Sequence, residues 1–305
     1  MNRPLPRTIP EYLDQLRIAL RGADPALVQD ALYDAEDHLR SEMAENPGKS
    51  EGEILAKIAN SYGAPEEVAA IYVVKEQQVE EALRSPPPPR RRSALGRFFG
   101  IAADPRAYAS LFYMLLSMAT GIFYFTWAVT GLSLSIGLSI LIFGIAFAVL
   151  FFGTVRVLSL VEGRIIEVML GERMPRRPLY AKNTATTWKG RIAEMFTDPR
   201  TWSTLFYMVI MLPLGIIYFT IASVGITLSL GLMFTPIAAV MAHMGAFGGN
   251  VGFYLDGEPV LQPLLIAPLA FVIGVVILFS MLHLARGIGR MQGGIAKHLL
   301  VQSAG

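Results

Sequence analysis

The sequence of 305 residues contains no cysteine, which excludes disulfide bonds, thiolate metal ligands and cysteine nucleophiles. It also has no charged residue between Arg106 and Arg156, nor between Arg200 and Asp256. A helix needs about 20 apolar residues to cross a bilayer, so the first stretch has room for two crossings and a turn. With 53% hydrophobic residues and a mean hydropathy of +0.47, the chain is expected to be a membrane protein.

Patterns typical of enzymes are missing as well. The sequence has no Walker A motif, no evident pair of catalytic carboxylates and no Ser-His-Asp arrangement. We therefore expect a protein that is not an enzyme and that uses no cofactor. Prolines and charges interrupt residues 1–21, so no signal peptide is predicted and the N-terminal part is expected to stay in the cytoplasm.

One stretch of the chain occurs twice, as residues 104–137 and as residues 198–231. Both copies contain Asp-Pro-Arg, Leu-Phe-Tyr-Met, Gly-Ile, Tyr-Phe-Thr and two further glycines, at a constant offset of 94 residues (198 − 104). A constant offset indicates a duplicated structural unit. We predict an all-α, polytopic membrane protein with two tandem transmembrane hairpins, four spans in total, and a small soluble helical domain at the N-terminus.

The N-terminal domain, residues 1–84, is predicted from helical periodicity and capping signals. Asp24 before Pro25 marks one helix start, and Ser50 with Glu53 forms a capping box at the next. The helix that follows Pro25 has an apolar face and an acidic face. The acidic face is predicted to be solvated and comprises Asp30, Asp34, Glu36, Asp37 and Glu42.

The same acidic face contains a spacing of residues that could bind a metal ion. Asp34, His38 and Glu42 follow one another at intervals of four residues, a spacing that suits a hard or borderline cation. No second cluster of ligands is in view, so we predict a solvated face and no metal site.

The N-terminal domain resembles a HAAS domain in three segments, residues 32–39 (LYDAEDHL), 50–58 (SEGEILAKI) and 62–69 (YGAPEEVA). HAAS domains are small helical modules found beside bacterial membrane sensor regions. The resemblance covers residues 8–75 and implies a cytoplasmic interaction module that is not an enzyme.

Residues 85–97 form a predicted linker, whose four consecutive prolines favour a stiff polyproline II spacer. Arg90, Arg91 and Arg92 follow the prolines, and arginines next to a span set topology and contact anionic lipid head groups. Arg106 and Arg200, in the two Asp-Pro-Arg elements, are assigned the same role. A nucleic-acid site is the weaker alternative, because no aromatic residues are interleaved with the arginines.

The predicted membrane region comprises a first hairpin (98–178), a cytoplasmic connector (179–197) and a second hairpin (198–305) with an outer segment (226–262). The crossings are expected at about 108–130, 134–157, 202–224 and 263–284. Lys and Arg cluster before the first crossing, between the second and third, and after the fourth. Four crossings place all three clusters and both termini on the cytoplasmic side of a bacterial inner membrane. For residues 226–246, a fifth crossing, a re-entrant segment and an interfacial segment all remain open.

Residues 98–301 resemble the "putative sensor" transmembrane domain of bacterial sensor proteins. The resemblance is carried by the doubled Asp-Pro-Arg and Tyr-Phe-Thr elements, the longer outer segment of the second copy, and residues 284–288 (LARGI). Members of that family precede histidine kinases in actinobacteria, whereas no kinase sequence follows here. We therefore expect the HAAS-like domain to carry the output.

The two copies diverge in the outer segment, where polar residues occur in an apolar region. Ionisable residues at membrane depth are candidates for function. The candidate ligand-binding residues are His243, Asn250, Tyr254, Asp256 and Glu258. The low charge of the segment favours a lipid or another hydrophobic ligand, and the alternative is an ordered outer cap that binds nothing.

The sequence thus predicts a membrane sensor or regulatory protein that relays an outer or intramembrane signal to a cytoplasmic partner, either a transcription regulator or a kinase. The alternative is a small transporter or a scaffold subunit of a membrane complex, because parallel repeats also occur in transporters. The lack of charged residues in the middle of the predicted crossings counts against transport. Small residues on the helix faces favour a homodimer.

Overall fold

The computed structural model of the protein describes residues 6–61, 63–83, 93–140, 142–177, 196–244, 254–255, 258–259 and 263–301. Its N-terminal part consists of four helices: α1 (Ile9–Ala19), α2 (Pro25–Glu45), α3 (Glu51–Ser61) and α4 (Pro65–Leu83). The predicted helix starts are confirmed by hydrogen bonds. Asp24 Oδ1 accepts from the Ala26 N–H at 2.9 Å, and Ser50 and Glu53 form the reciprocal capping box, with bonds of 3.1 and 3.4 Å.

The apolar faces of these helices share one core. Tyr12 and Leu16 of α1, Leu39 of α2 and Ile54 of α3 are among its fully buried members. Tyr12 also donates its hydroxyl hydrogen to the carbonyl oxygen of Gly63 at 2.9 Å, which ties α1 to the start of α4. Because burying a large apolar side chain contributes about 1.5–3 kcal/mol, this core is enough to define a small helical domain.

The rest of the chain is built mainly from long helices. A short helix α5 (Ala94–Phe99) precedes α6 (Pro105–Gly137), α7 (Ile142–Leu170), α8 (Pro199–His243) and α9 (Pro263–Leu300). Two antiparallel strands of two residues each, β1 (Tyr254–Leu255) and β2 (Glu258–Pro259), lie between α8 and α9. Among the described residues, four helices are long and apolar enough to cross a membrane: Pro105–Ile140, Gly144–Leu170, Pro199–His243 and Ile266–Leu300. The predicted all-α fold with four spans is confirmed.

Two predicted boundaries of the crossings were wrong. The turn of the first hairpin is a 3₁₀ segment at Leu138–Ile140, so Ser133 and Gly137 belong to the first spanning helix and not to the second. Residues 226–243 continue α8 without a break, so no helix end occurs at residue 224, where the third crossing was expected to end. Pro213 and Pro236 both lie inside α8.

The described chain forms two compact units. The first unit contains Met1–Arg84, Thr126–Val209 and Gln292–Gly305, and the second contains Ser85–Phe125 and Ile210–Met291. Within the second unit, the backbones of α6 and α8 approach closely at two glycines. A Cβ added to Gly121 would lie 2.5 Å from the carbonyl oxygen of Met211, and one added to Gly215 would overlap the carbonyl oxygen of Ser117. Gly121 and Gly215 are matching positions of the repeat, and so are Ser117 and Met211, so the contact is reciprocal.

The first residues of the two repeated stretches have the same hydrogen-bond pattern. In the second unit, Asp104 Oδ1 accepts from the Arg106 N–H at 3.0 Å, and in the first unit Asp198 Oδ1 accepts from the Arg200 N–H at the same distance. Each aspartate also pairs with an arginine of the other hairpin. Asp104 is 3.2 Å from Arg286, and Asp198 is 3.5 Å from Arg156.

Candidate functional site

The candidate functional site begins where α7 ends. Gly171 has a φ of 77° and its N–H bonds to the carbonyl oxygens of Ile166 and Glu167, both at 3.2 Å. A left-handed residue directly after a helix is the usual glycine cap, and it redirects the chain. Residues 171–177, here called the connecting segment, therefore leave the axis of α7 and run along the N-terminal domain within the first unit.

Arg173 is the centre of this site. It is only 8% exposed, and its guanidinium contacts three buried carboxylates. Its Nη2 is 3.0 Å from Asp30 Oδ2, its Nε is 3.0 Å from Glu76 Oε1, and its Nη1 is 3.5 Å from Glu167 Oε1. Nη1 also donates to the carbonyl oxygen of Met174 at 2.7 Å. One planar guanidinium thereby joins α2, α4 and α7.

Asp30 is the counterpart of Arg173 on α2. Its Oδ1 accepts from the backbone N–H groups of Arg176 and Arg177, each at 2.8 Å. Burial raises the pKa of Asp30, and the hydrogen bonds from Arg177, Arg176 and Arg173 offset this effect only in part. Burial alone would lower the pKa of Arg173, but the charges of Glu76, Asp30 and Glu167 outweigh it and raise the pKa above its ordinary value.

Further contacts extend this interface along α2. Arg177 pairs with Asp34 at 2.8 Å and lies over the ring of Tyr33, 5.9 Å from its centroid. Gln29 donates to the carbonyl oxygen of Arg177 at 2.7 Å, and its Oε1 accepts from Arg200 at 2.9 Å. The interface is therefore continuous from the connecting segment to the start of α8.

Other helix ends meet the same domain. Lys297, near the end of α9, pairs with Asp24, and Arg200 donates to the carbonyl oxygen of Leu300. The N-terminal domain thus contacts the connecting segment, the start of α8 and the end of α9. These three parts of the chain therefore meet around one domain in the first unit.

The prediction of a fully solvated acidic face on α2 was wrong. Asp30 and Glu36 are buried, and Asp34 is bound by Tyr72 and Arg177. The helical period alone cannot distinguish solvent from a second protein surface, because both suit a polar face. Among the described residues, no group of three or more His, Asp or Glu side chains has the geometry of a metal site.

The second span also carries buried carboxylates beyond the predicted end of the crossing at residue 157. Glu162 accepts from the Tyr207 hydroxyl at 3.0 Å, and that hydroxyl accepts from Gln292 Nε2 at 3.1 Å. Glu167 lies one turn further and pairs with Arg164 and Arg176 as well as Arg173. The sequence contains an indication of these contacts. Glu162 and Glu167 lie in an apolar helix, where acidic residues need partners, and arginines follow that helix in the sequence.

Among the predicted site residues that the structure describes, Arg200 belongs to this interface. His243 is the last residue of α8 and is exposed, while Tyr254 and Glu258 lie on β1 and β2, in register with Pro259 and Leu255 respectively. Asn250, Asp256, Arg90, Arg91 and Arg92 lie outside the described residues. Arg106 is the second residue of α6, and Arg200 contacts Gln29 and Leu300. The predicted contact of both arginines with lipid head groups stays a prediction. The outer ligand site stays a prediction.

Two family models match the chain. The model described as "Putative sensor" matches residues 113–300, which is more than half of the chain. The chain belongs to this family. A second model, HAAS, matches residues 11–71 of the same chain, as the resemblance implied. No curated protein and no solved structure matches this member of the Putative sensor family.

The interface joins the two regions of the chain that the family models match. Gln29, Asp30 and Asp34 lie in the HAAS match, whereas Arg173, Arg177 and the ends of α8 and α9 lie in the sensor match. Both matches are to regulatory families that are not catalytic, which indicates a sensor or regulatory role for a multi-pass membrane protein.

Proposed function

We propose that this protein is a non-enzymatic sensor of a bacterial inner membrane that relays a signal to a cytoplasmic partner through its HAAS domain. The contact of Arg173 with Asp30 and Glu76 carries the proposal, because it couples the membrane helices to α2 and α4 through one buried side chain. A stimulus in the membrane region would change how firmly the HAAS domain is docked. The docked state covers Asp30 and Asp34, and release would present them to a transcription regulator or a kinase.

The membrane orientation follows from charge. Arg173, Arg176 and Arg177 follow the end of α7 directly, and the positive-inside rule assigns such loops to the cytoplasm. The HAAS domain contacts this loop, so both termini are proposed to be cytoplasmic.

The relay can be tested with cysteine pairs, because the natural chain has no cysteine to interfere. Asp34→Cys with Arg177→Cys reports docking, since these side chains form an ion pair at 2.8 Å. Glu42→Cys with Lys57→Cys is the matched control, because this pair, 3.6 Å apart, lies wholly inside the HAAS domain. We expect a short bismaleimide to link both pairs, and Arg173→Met to lower the yield of the first pair only.

The functional arm of this test is transcript profiling. Cells that carry Arg173→Met should differ from wild-type cells in a defined set of transcripts, whereas Arg17→Met, which removes an exposed ion pair with Asp14, should leave them unchanged. A loss of docking in Arg173→Met with no change in transcripts would show that the interface is only structural and would refute the relay.

A transporter is the second candidate, and one observation favours it. Glu162 is buried inside the second span with Tyr207 and Gln292, and buried carboxylates in spans are typical of ion pathways. Solute movement in proteoliposomes that Glu162→Gln abolishes, without any effect on the docking cross-link, would favour this alternative.

A further inference from the structure

A small cavity lies in the first unit where the HAAS domain meets the ends of the membrane helices. Its volume is about 40 Å³. One water needs about 10–15 Å³, so the cavity has room for roughly three water-sized groups. It is lined by Gln29 of α2, by Met174 and Pro175 of the connecting segment, by residues between Val155 and Gly163 in the middle part of α7, and by residues at the start of α8 and the end of α9.

The charged side chains that line the cavity are Arg156, Asp198 and Arg200, so its formal charge is positive. Both oxygens of Asp198 already face donors, the Arg200 N–H at 3.0 Å and Arg156 Nη2 at 3.5 Å. Arg200 Nη2 donates to Gln29 and Leu300. Its Nη1 is buried and has no hydrogen-bond partner among the described residues.

Thr201 supplies a second, independent observation. It is only 3% exposed and lines the cavity, and its Oγ1 is also without a hydrogen-bond partner in the part of the chain that the structure describes. A buried hydroxyl without a partner is uncommon and costs stability. The matching residue of the first repeat is Ala107, which is fully buried, so this position of the repeat does not require a hydroxyl for folding.

We infer that this cavity binds a phosphate-type oxyanion, held by the guanidinium groups of Arg156 and Arg200 and by the hydroxyl of Thr201. Charge-assisted hydrogen bonds suit such an anion, and the cavity lies at the positive end of the α8 dipole. The anion belongs either to a free phosphate or to the head group of an anionic lipid, because both present the same phosphate oxygens and the cavity is lined by helices that are long and apolar enough to cross a membrane. Because Gln29 lines the same cavity, the bound anion bridges the HAAS domain and the membrane helices, and its regulatory meaning rests on the proposed relay.

The test uses the full-length protein in nanodiscs. One arm measures binding of radiolabelled inorganic phosphate by equilibrium dialysis, with nanodiscs of phosphatidylcholine only. The other arm measures retention of phosphatidic acid by native mass spectrometry, with nanodiscs that contain a small fraction of this lipid. We expect one bound equivalent in at least one arm.

The variants localise the site. Thr201→Val is nearly isosteric and removes one hydrogen bond to a charged group, so it should weaken binding about tenfold. Arg156→Gln should weaken binding at least as much and reduce its dependence on salt. Thr235→Val is the matched control on the same helix, because the Thr235 hydroxyl bonds to the Gly231 carbonyl oxygen of its own helix at 3.2 Å and lies outside the cavity. It should bind like wild type.

The outcomes separate the site from the relay. Binding in the lipid arm only assigns the site to a head group, and binding in the phosphate arm only assigns it to a soluble ion; both support the inference. Equal binding by wild type and Thr201→Val in both arms, with Thr201→Val folded as judged by the docking cross-link, overturns it. Anion binding that leaves the Asp34→Cys and Arg177→Cys cross-link unchanged supports the site and refutes the relay.

Discussion

Arg173 satisfies three carboxylates because a guanidinium presents its donors in a rigid, planar fork. Its Nε, Nη1 and Nη2 each point to a different helix, with distances between 3.0 and 3.5 Å. A lysine has one compact charge on a flexible stem and cannot reach three carboxylates in this geometry. Removal of the guanidinium leaves Asp30, Glu76 and Glu167 buried together without their common partner.

Arg173→Met is expected to weaken docking of the HAAS domain by about 3–5 kcal/mol, the usual cost of breaking a buried ion pair from one side. The backbone N–H groups of Arg176 and Arg177 report this directly, because both bond to Asp30 only in the docked state. Their hydrogen exchange, measured by mass spectrometry, should accelerate on the order of 100-fold or more.

Asp30→Asn provides the comparison for this prediction. The asparagine oxygen can still accept from the two backbone N–H groups, and the charge that it removes is one whose burial is unfavourable. Since the pKa of Asp30 is raised in the docked state, docking takes up a proton, and this carboxyl favours docking more as the pH falls through that pKa. Asp30→Asn imitates the protonated form and should accelerate exchange less than Arg173→Met. Equal effects of both variants, or an equal effect of Arg17→Met, would contradict this account.

At the level of residues, helix capping could be predicted from the sequence, whereas the burial of Asp30 against Arg173 could not. Asp24, Ser50 and Glu53 act within one turn of the chain, so their spacing suffices. Asp30 and Arg173 are 143 residues apart, and their contact depends on how the domain is placed against the connecting segment. No local pattern contains that information.

Among the elements, α6 and α8 show what the repeated glycines do. Gly121 and Gly215 allow the two backbones to approach closely. A Cβ added at Gly137 or Gly231, a later matching pair of the same repeat, would meet nothing within 4 Å. Of the three glycine pairs in the repeat, Gly121 and Gly215 meet backbone, Gly131 and Gly225 face the side chains of Phe151 and Met281, and Gly137 and Gly231 have open space.

Gly215→Ala is expected to destabilise the protein by about 1–3 kcal/mol, because the added methyl group meets backbone atoms of α6, which cannot rotate away. Gly231→Ala lies on the same helix with open space around it and should cause no loss of stability. Denaturant unfolding in detergent micelles measures both. Equal destabilisation by the two substitutions would contradict the assignment of the close contact to Gly215.

Hydrophobicity predicted the number of spans but placed their ends poorly. The first hairpin was expected to turn near residue 131, whereas the turn is at 138–140, because an apolar turn carries no polar signal. Similarly, α8 extends over 45 residues, and neither Pro213 nor Pro236 ends it. Within a membrane, neighbouring groups can satisfy the backbone that a proline leaves unpaired, so proline is a weak stop signal there.

For the whole molecule, the contacts of the HAAS domain restrict the topology. The connecting segment, the start of α8 and the end of α9 all touch this domain, so an even number of spans separates them. From the charge distribution we propose that this side is the cytoplasmic one.

Labelling of single cysteines by a membrane-impermeant maleimide tests this topology in intact cells. Ile140→Cys and Met244→Cys, at strongly exposed positions at the end of the first span and directly after the third, should react from outside. Asp37→Cys, on the surface of the HAAS domain, should react only after permeabilisation. Reaction of Met244→Cys only from the inner side would contradict this topology.

Two ion pairs connect the hairpins, and the order in which their partners are synthesised differs between the two pairs. Asp104 is synthesised early, but its partner Arg286 follows 182 residues later (286 − 104). At about 5–20 residues per second, a ribosome needs roughly 9–36 s to supply that arginine. Asp198, by contrast, finds Arg156 already made. During this interval Asp104 lacks its partner, so this contact between the two hairpins can form only after α9 has been synthesised.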